Sequence, residues 1–444
     1  MEKIDKKKHN VNSTQVILSS FVVTIMIGAI LLSLPIASTD NIATNFLDCI
    51  FTATSSLCVT GLVAFDTATH WSFFGQVVIL ILIQLGGMGI ILIASAITII
   101  FGQKINLLQR TTLQEALSVQ KVGGIIKLSK FIIKGFLLME CLGAVMLFTV
   151  FIQEFDILKA IWYSIFHSIS AFCNAGFDLM GFREEFSSLT YYKTNAIINI
   201  TTMLLIIVGG LGFSLWEDIR KKKLNLKKYT LQSKLVICMT INLIITPAII
   251  FYFLDFSKLQ GSERIFAAVF QSVTTRTAGF NTVNLNEMSE VGKAIMIILM
   301  LIGGGPGSTA GGMKVTTIFV LVISTIAIYR KQNEAQVFNR RIEVTYVRYA
   351  ITIFILYITL FLIAGFIICV LEKTTLLDAL FETASAIGTV GLTLGVTTKL
   401  SAISKMIIIL LMFFGRAGGL TFIYAIIPGI KYEVNYVSEN IAVG

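Results

Sequence analysis

Charge is what this chain has least of: only 14% of its 444 residues are Asp, Glu, Lys or Arg, against 55% hydrophobic. With a mean hydropathy of +0.84, that excludes an ordinary soluble domain and points to a polytopic membrane protein. Histidine is nearly missing, with three residues and none near another, which argues against a metal centre. Six cysteines, Cys49, Cys58, Cys141, Cys173, Cys238 and Cys369, lie scattered in apolar surroundings without paired spacing. Neither a disulfide framework nor a zinc site fits them. No small-residue cleavage site follows the basic run Lys6-Lys7-Lys8, so the first apolar segment reads as a retained span, not a signal peptide. No nucleophile, acid–base pair or metal cluster stands at membrane depth, so the chain does not read as an enzyme.

The net charge of +10 is not a nucleic-acid footprint. Of 35 Lys and Arg, 22 fall in four segments: the N-terminus, 104–134, 220–234 and 330–348. The intervening loops lean acidic, with Asp66, Glu154, Asp156, Asp178, Glu184, Glu185, Glu287 and Glu290. This alternation follows the positive-inside rule and places both termini in the cytoplasm. The basic loops are either plain topology signals or surfaces for lipid headgroups and a cytosolic partner.

Apolar spans are expected at about 16–34, 73–101, 131–153, 194–217, 233–254, 293–329, 347–371 and 402–428. Between each odd span and the next even one lies a stretch too short to cross: 45–58, 158–173, 263–275 and 376–388. The expected fold is all-α, with eight transmembrane helices and four re-entrant loops in four tandem span–half-span–span repeats. The repeats cover 16–101, 131–217, 233–329 and 347–428. Cytoplasmic segments at 1–15, 102–130, 218–232, 330–346 and 429–444 join or flank them.

The half-spans repeat in detail. Phe51, Phe166, Phe270 and Phe381 are each followed four residues later by a hydroxyl, Ser55, Ser170, Thr274 and Ser385. Gly61, Gly176, Gly279 and Gly391 follow, spaced 115, 103 and 112 residues apart. A short helix ending near mid-membrane and returning as extended backbone would bring four such loops around one axis. Backbone carbonyls of Val59-Thr60-Gly61, Asn174-Ala175-Gly176, Thr277-Ala278-Gly279 and Thr389-Val390-Gly391 would then replace the hydration shell of a cation. Helix C-termini would add partial negative charge at the same point. The expected ligand is therefore a cation on these carbonyls, with no transition metal. None of the loops has a Gly-Tyr-Gly ending, so fewer sites and softer selectivity are expected than in tetrameric potassium channels.

Each even span carries a glycine cluster: Gly86-Gly87-Met88-Gly89, Gly209-Gly210-Leu211-Gly212, Gly415-Arg416-Ala417-Gly418-Gly419, and a long third version. For the first two, close helix packing by small residues suffices. The third runs Gly303-Gly304-Gly305-Pro306-Gly307-Ser308-Thr309-Ala310-Gly311-Gly312-Met313-Lys314 and cannot continue a straight helix. Helical throughout, 292–329 would be roughly 57 Å long, against a core of roughly 30 Å. A flexible loop beneath the filter fits better.

These loops, with Gly-Gly-Gly-Pro-Gly-Ser-Thr-Ala-Gly-Gly-Met-Lys and Gly-Arg-Ala-Gly-Gly-Leu-Thr, resemble the Trk/Ktr/HKT superfamily of potassium transporters, nearest to the KtrB type of membrane subunit. The likeness spans essentially the whole chain. It implies potassium uptake through four pseudo-repeats in a bacterial cytoplasmic membrane, in a homodimer with two pores. It also implies a cytosolic nucleotide-binding subunit, KtrA, which carries ATP or ADP, and activation by sodium; no cofactor is expected on this chain. Some plant relatives with sodium preference carry serine at the first filter glycine, so Gly61 favours potassium. The segment Gly303 to Lys314 maps onto an intramembrane gate.

Single residues add to this. Arg416, central in the last span, reads as a cationic barrier near the gate loop, since a charge at that depth costs about 2.5–3.5 kcal/mol on insertion scales. Lys314 either pairs with loop carbonyls or marks where the span re-emerges. Arg276 is expected to brace its loop from behind through bonds to carbonyls. His167 reads as a packed polar residue, and Glu140 as a hydrogen-bonded packing residue before a proton site. The competing reading of the whole is a secondary carrier of a cation or small solute with alternating access.

Overall fold

The computed structural model describes residues 13–100, 107–117, 123–223, 225–419 and 439. The N-terminal basic run, the end of the expected last span (420–428) and most of 429–444 lie outside the described residues. Within them the fold is helical, apart from a two-residue hairpin pair, Gln336–Val337 against Arg340–Arg341.

Four helices are long and apolar enough to cross a bilayer: Thr14–Leu32, Ile125–Phe151, Leu231–Leu254 and Val344–Glu372. At 19 to 29 residues they reach about 28–43 Å, enough for a hydrocarbon core. Their outer faces carry exposed Val23, Ile27, Leu138, Val145, Ile245 and Ile355, a surface suited to lipid.

Two expected straight spans are corrected. Phe73–Met88 and Ile90–Thr98 form a pair bent by 91°, and Ala196–Gly210 and Phe213–Lys222 a pair bent by 93°. The breaks fall at Gly89 (φ 88°) and Gly212 (φ 91°), backbone values an α-helix cannot hold. Counting each pair as one span gives six among the described residues. The third expected span begins earlier than 131, at Ile125, and the preceding loop contains a helix, Leu107–Ala116. In the third glycine-rich region, Glu290–Met300 and Val315–Tyr329 are separate helices joined by irregular chain.

Four short helices lie between these: Phe46–Leu57, Ile157–Cys173, Gly261–Thr274 and Leu376–Gly388. Each packs against the long helix before it. Each also meets a helix that follows another of the short helices: Phe73–Met88 on Ile157–Cys173, Ala196–Gly210 on Gly261–Thr274, Glu290–Met300 on Leu376–Gly388, and Ala402–Ala417 back on Phe46–Leu57. The last contact closes a circle. Two ion pairs sit on these seams, Lys193–Glu263 (2.8 Å) and Lys405–Asp48 (2.6 Å). Each acid lies in the first turn of a short helix, where the helix dipole also favours it. Phe51, Phe166, Phe270 and Phe381 are fully buried, which explains the repeated aromatic.

Candidate functional site

After each short helix the backbone takes the same unusual path. Positive φ recurs at Val59 and Gly61, Asn174 and Gly176, Thr277 and Gly279, and Thr389 and Gly391, with one residue between. Such alternation turns successive peptide groups the same way, amides to one side and carbonyls to the other. The amides face the helix: Thr60, Ala175 and Val390 donate to the carbonyls of Ser55, Ser170 and Ser385 at 2.8, 2.7 and 2.8 Å, and Ala278 to Thr274 at 3.0 Å. The repeated hydroxyl completes the clamp. Ser55 and Ser385 accept from the amides of Gly61 (3.1 Å) and Gly391 (3.0 Å), while Ser170 and Thr274 donate to the carbonyls of Phe177 and Phe280. Among the described residues, the twelve carbonyls of 59–61, 174–176, 277–279 and 389–391 accept no hydrogen bond. Buried carbonyls without a partner are rare in proteins, so a dozen in one place point to an exogenous donor of positive charge.

The glycines close a ring in chain order. A methyl added to Gly176 would meet the Ala278 carbonyl oxygen at 2.7 Å, and one on Gly279 the Val390 oxygen at 2.5 Å. Gly61 presses likewise on Ala175, and Gly391 on Thr60, so no side chain fits at any of the four. On one side the ring opens to a cavity of about 80 Å³ lined by all four glycines, Asp66, Asp178 and Thr393.

On the other side lies the irregular segment 301–314. Its ends are tied together, Gly303 amide to Met313 carbonyl (2.7 Å) and Val315 amide to Gly304 carbonyl (3.1 Å). Its body bonds to the glycine clusters of other units. Gly305 and Thr309 donate to the carbonyls of Gly210 (2.8 Å) and Gly209 (3.2 Å), Phe213 donates to Gly307 (2.7 Å), and Gly312 donates to Gly415 (3.1 Å). Arg416 bridges further, donating to the carbonyls of Thr309 and Gly86. Lys314 caps Ala310 at 2.6 Å. A methyl on Gly311 would touch the Thr389 side chain, so the segment sits directly against the ring's fourth loop. Pro306 and Gly307 form the turn of this pinned segment, and Ser308 Oγ is buried without a partner.

The TrkH family model, described as cation transport protein, matches residues 3–431. The chain belongs to the Trk/Ktr family of cation transport proteins. It is 40% identical to the potassium/sodium uptake protein NtpJ of Enterococcus hirae, over 98% of both chains. With the Ktr system potassium uptake protein B of Bacillus subtilis it shares 36% identity, over 97% of this chain and 96% of the relative. The crystal structure of the potassium transporter TrkH from Vibrio parahaemolyticus superimposes with a TM-score of 0.75 at 19% identity, covering 96% of this chain and 87% of that one. That likeness is one of fold. These relatives are ion transporters, not enzymes.

In this Trk/Ktr chain the Arg276 guanidinium turns away from the ring. It donates to Thr240 Oγ1 (3.2 Å) on Leu231–Leu254, not to loop carbonyls as the sequence suggested. Its backbone carbonyl accepts from Asn174 Nδ2 at 3.3 Å. Asn174 was read only for its carbonyl, yet its side chain also reaches Thr277 Oγ1 (3.3 Å) and accepts from Thr309 (3.3 Å), joining two loops to the segment below. Nothing local marks that role, since the partners are 102 to 135 residues away. Glu140 accepts from Gln84 Nε2 at 3.0 Å behind the second loop, and Cys173 lies beside both. The first two glycine clusters also pack closely: Gly86 and Gly209 lie against the carbonyls of Leu57 and Phe172 at short-helix ends.

Proposed function

We propose that the chain is the ion-translocating membrane subunit of a Ktr-type potassium uptake system. The carrying observation is the closed ring of twelve unpartnered carbonyls, which offers a dehydrated cation the oxygen ligands it loses on leaving water. The relatives' names, potassium uptake and potassium/sodium uptake, support K+ as the transported ion and leave room for Na+ as activator. In this reading Val59 to Gly61, Asn174 to Gly176, Thr277 to Gly279 and Thr389 to Gly391 form the selectivity filter. The four units at 16–101, 131–217, 233–329 and 347–428 act as span–pore-helix–span repeats with both termini in the cytoplasm. The segment 303–314 with Lys314 and Arg416 is the gate, and a cytosolic nucleotide-binding subunit of the KtrA kind acts on it in a homodimeric complex. A bacterial cell membrane is the setting.

Growth of a potassium-uptake-deficient bacterium at low external potassium tests this. With the cognate cytosolic subunit, the wild-type chain restores growth. Gly279→Ser lowers the K+/Na+ transport ratio, because a side chain there meets the Val390 oxygen at a φ of 83°. Failure of the wild type to support uptake, or unchanged selectivity in several ring-glycine variants, overturns the assignment.

A further inference from the structure

The residue after each buried phenylalanine differs among the four short helices: Thr52, His167, Gln271 and Glu382. All are at most 3% exposed. Two of them hold the outgoing limb of their loop beyond the ring glycine. The Leu179 amide donates to His167 Nε2 at 3.2 Å, so Nδ1 carries the ring proton and donates to the Tyr163 carbonyl at 2.7 Å. That histidine is neutral. Glu382 holds the fourth limb: Oε2 accepts from Thr393 at 2.9 Å, Oε1 contacts the Thr397 hydroxyl, and the two hydroxyls lie 3.0 Å apart. Thr393 is two residues past Gly391 and lines the outer cavity. Among the described residues the other two do not bond to their outgoing limb: Thr52 Oγ1 and Gln271 Oε1 are buried without a partner, and Gln271 Nε2 donates to Met296 Sδ at 3.4 Å. As the ring runs 61, 176, 279, 391, the two braces occupy one diagonal.

Proton counting adds a constraint at Glu382. Three oxygen–oxygen contacts close a cycle, and bonding along all three takes three protons, while two threonine hydroxyls bring two. A carboxylic acid supplies the third: Glu382 donates to Thr397, Thr397 to Thr393, and Thr393 to the other Glu382 oxygen. The surroundings agree, since Glu382 is fully buried and belongs to none of the ion pairs among the described residues. A bare carboxylate there would be costly.

We propose that Glu382, as a neutral carboxylic acid, is a positioning residue that sets K+ over Na+ selectivity by fixing the outer limb of the fourth loop through Thr393 and Thr397. The inference rests on the reading of the ring as the selectivity filter. Selectivity depends on how firmly carbonyls hold a K+-sized spacing, and a loop released at its outer limb adapts to the smaller ion.

The test is the K+/Na+ transport ratio in cells expressing the chain with its cognate cytosolic subunit. A ratio does not depend on how many molecules reach the membrane, so a mere folding loss leaves it unmoved. Glu382→Gln keeps the cycle, because its amide donates to Thr397 and its carbonyl accepts from Thr393, and the ratio stays within about twofold of wild type. Glu382→Ala lowers it by about tenfold, and Thr393→Val by a smaller factor. A Gln variant as damaged as the Ala variant overturns the neutral acid. An unchanged ratio in both Glu382→Ala and Thr393→Val overturns the positioning role. If Glu382→Ala is not recovered in the membrane, Thr393→Val decides alone, a fall supporting the role and an unchanged ratio overturning it. A wild-type chain that moves no potassium would instead overturn the filter reading itself.

Discussion

The carbonyl ring and the 301–314 segment are both irregular, glycine-rich and largely buried backbone, but they are held in opposite ways. In the ring each loop bonds to its own short helix within four to seven residues, through a backbone amide and a helix hydroxyl. Apart from the Asn174 side chain, which ties the second loop to the third and to Thr309, it is self-supporting and leaves its carbonyls free. Most anchors of the lower segment are more than 90 residues away, at Gly209, Gly210, Phe213 and Gly415, with Arg416 reaching across to Gly86. Its shape is therefore conditional on where the helices carrying those residues stand. A filter should hold its form whatever the rest does, whereas a gate should respond when neighbouring helices shift. The contrast in anchoring is the physical basis for proposing different roles for the two regions.

That contrast can be broken at either end. The largest effect is expected from deleting 304–311: potassium flux rises by about tenfold and loses most of its dependence on the cytosolic subunit, while the K+/Na+ ratio stays near wild type. A deletion that leaves flux ordinary and nucleotide-controlled ends the gate proposal. Arg416→Gln, which weakens the bridge from Thr309 to Gly86 and removes a positive charge below the ring, is expected to raise flux several-fold. Radioactive rubidium uptake in whole cells measures it, and a fall in flux at normal protein level would contradict a barrier. Ser385→Ala deprives the Gly391 amide of its acceptor, a loss of about 1 kcal/mol, and should lower selectivity by about fivefold without altering nucleotide control. Loss of nucleotide control alone would show that the two regions are not separable. The smallest effect is expected at the seam. Lys405→Met breaks the pair with Asp48 and should lower thermal stability in detergent by about 1 kcal/mol, with selectivity unchanged.

Much of the ring was legible because its requirements are local. A buried phenylalanine, a hydroxyl four residues on and a glycine at the close approach are each demanded within a dozen residues of one another, so the pattern survives four times in the chain. The bends were less legible. The sequence marks Gly89 and Gly212 only as members of glycine clusters, and glycine serves equally for tight packing and for a left-handed break. Here the same clusters do both, Gly86 and Gly209 by packing, Gly89 and Gly212 by turning the chain. The Arg276 side chain illustrates a third case: burial behind the loop was foreseeable from its charge, but its partner, Thr240, was not.

By itself the sequence determined that this chain lives in a membrane, that four short segments share one backbone design, and that the third glycine-rich region is not a straight helix. Those conclusions rest on composition and on the conformational needs of single residues, which travel with the chain wherever it goes. Only the tertiary structure decided which glycine stands beside which, that Ala402–Ala417 returns to Phe46–Leu57 to close the circle, and that Arg416 joins Thr309 to Gly86. It also decided that braces occupy one diagonal. The reason is that each of these is a contact between residues far apart in the chain. Such contacts depend on packing summed over the whole molecule, and no local pattern encodes it.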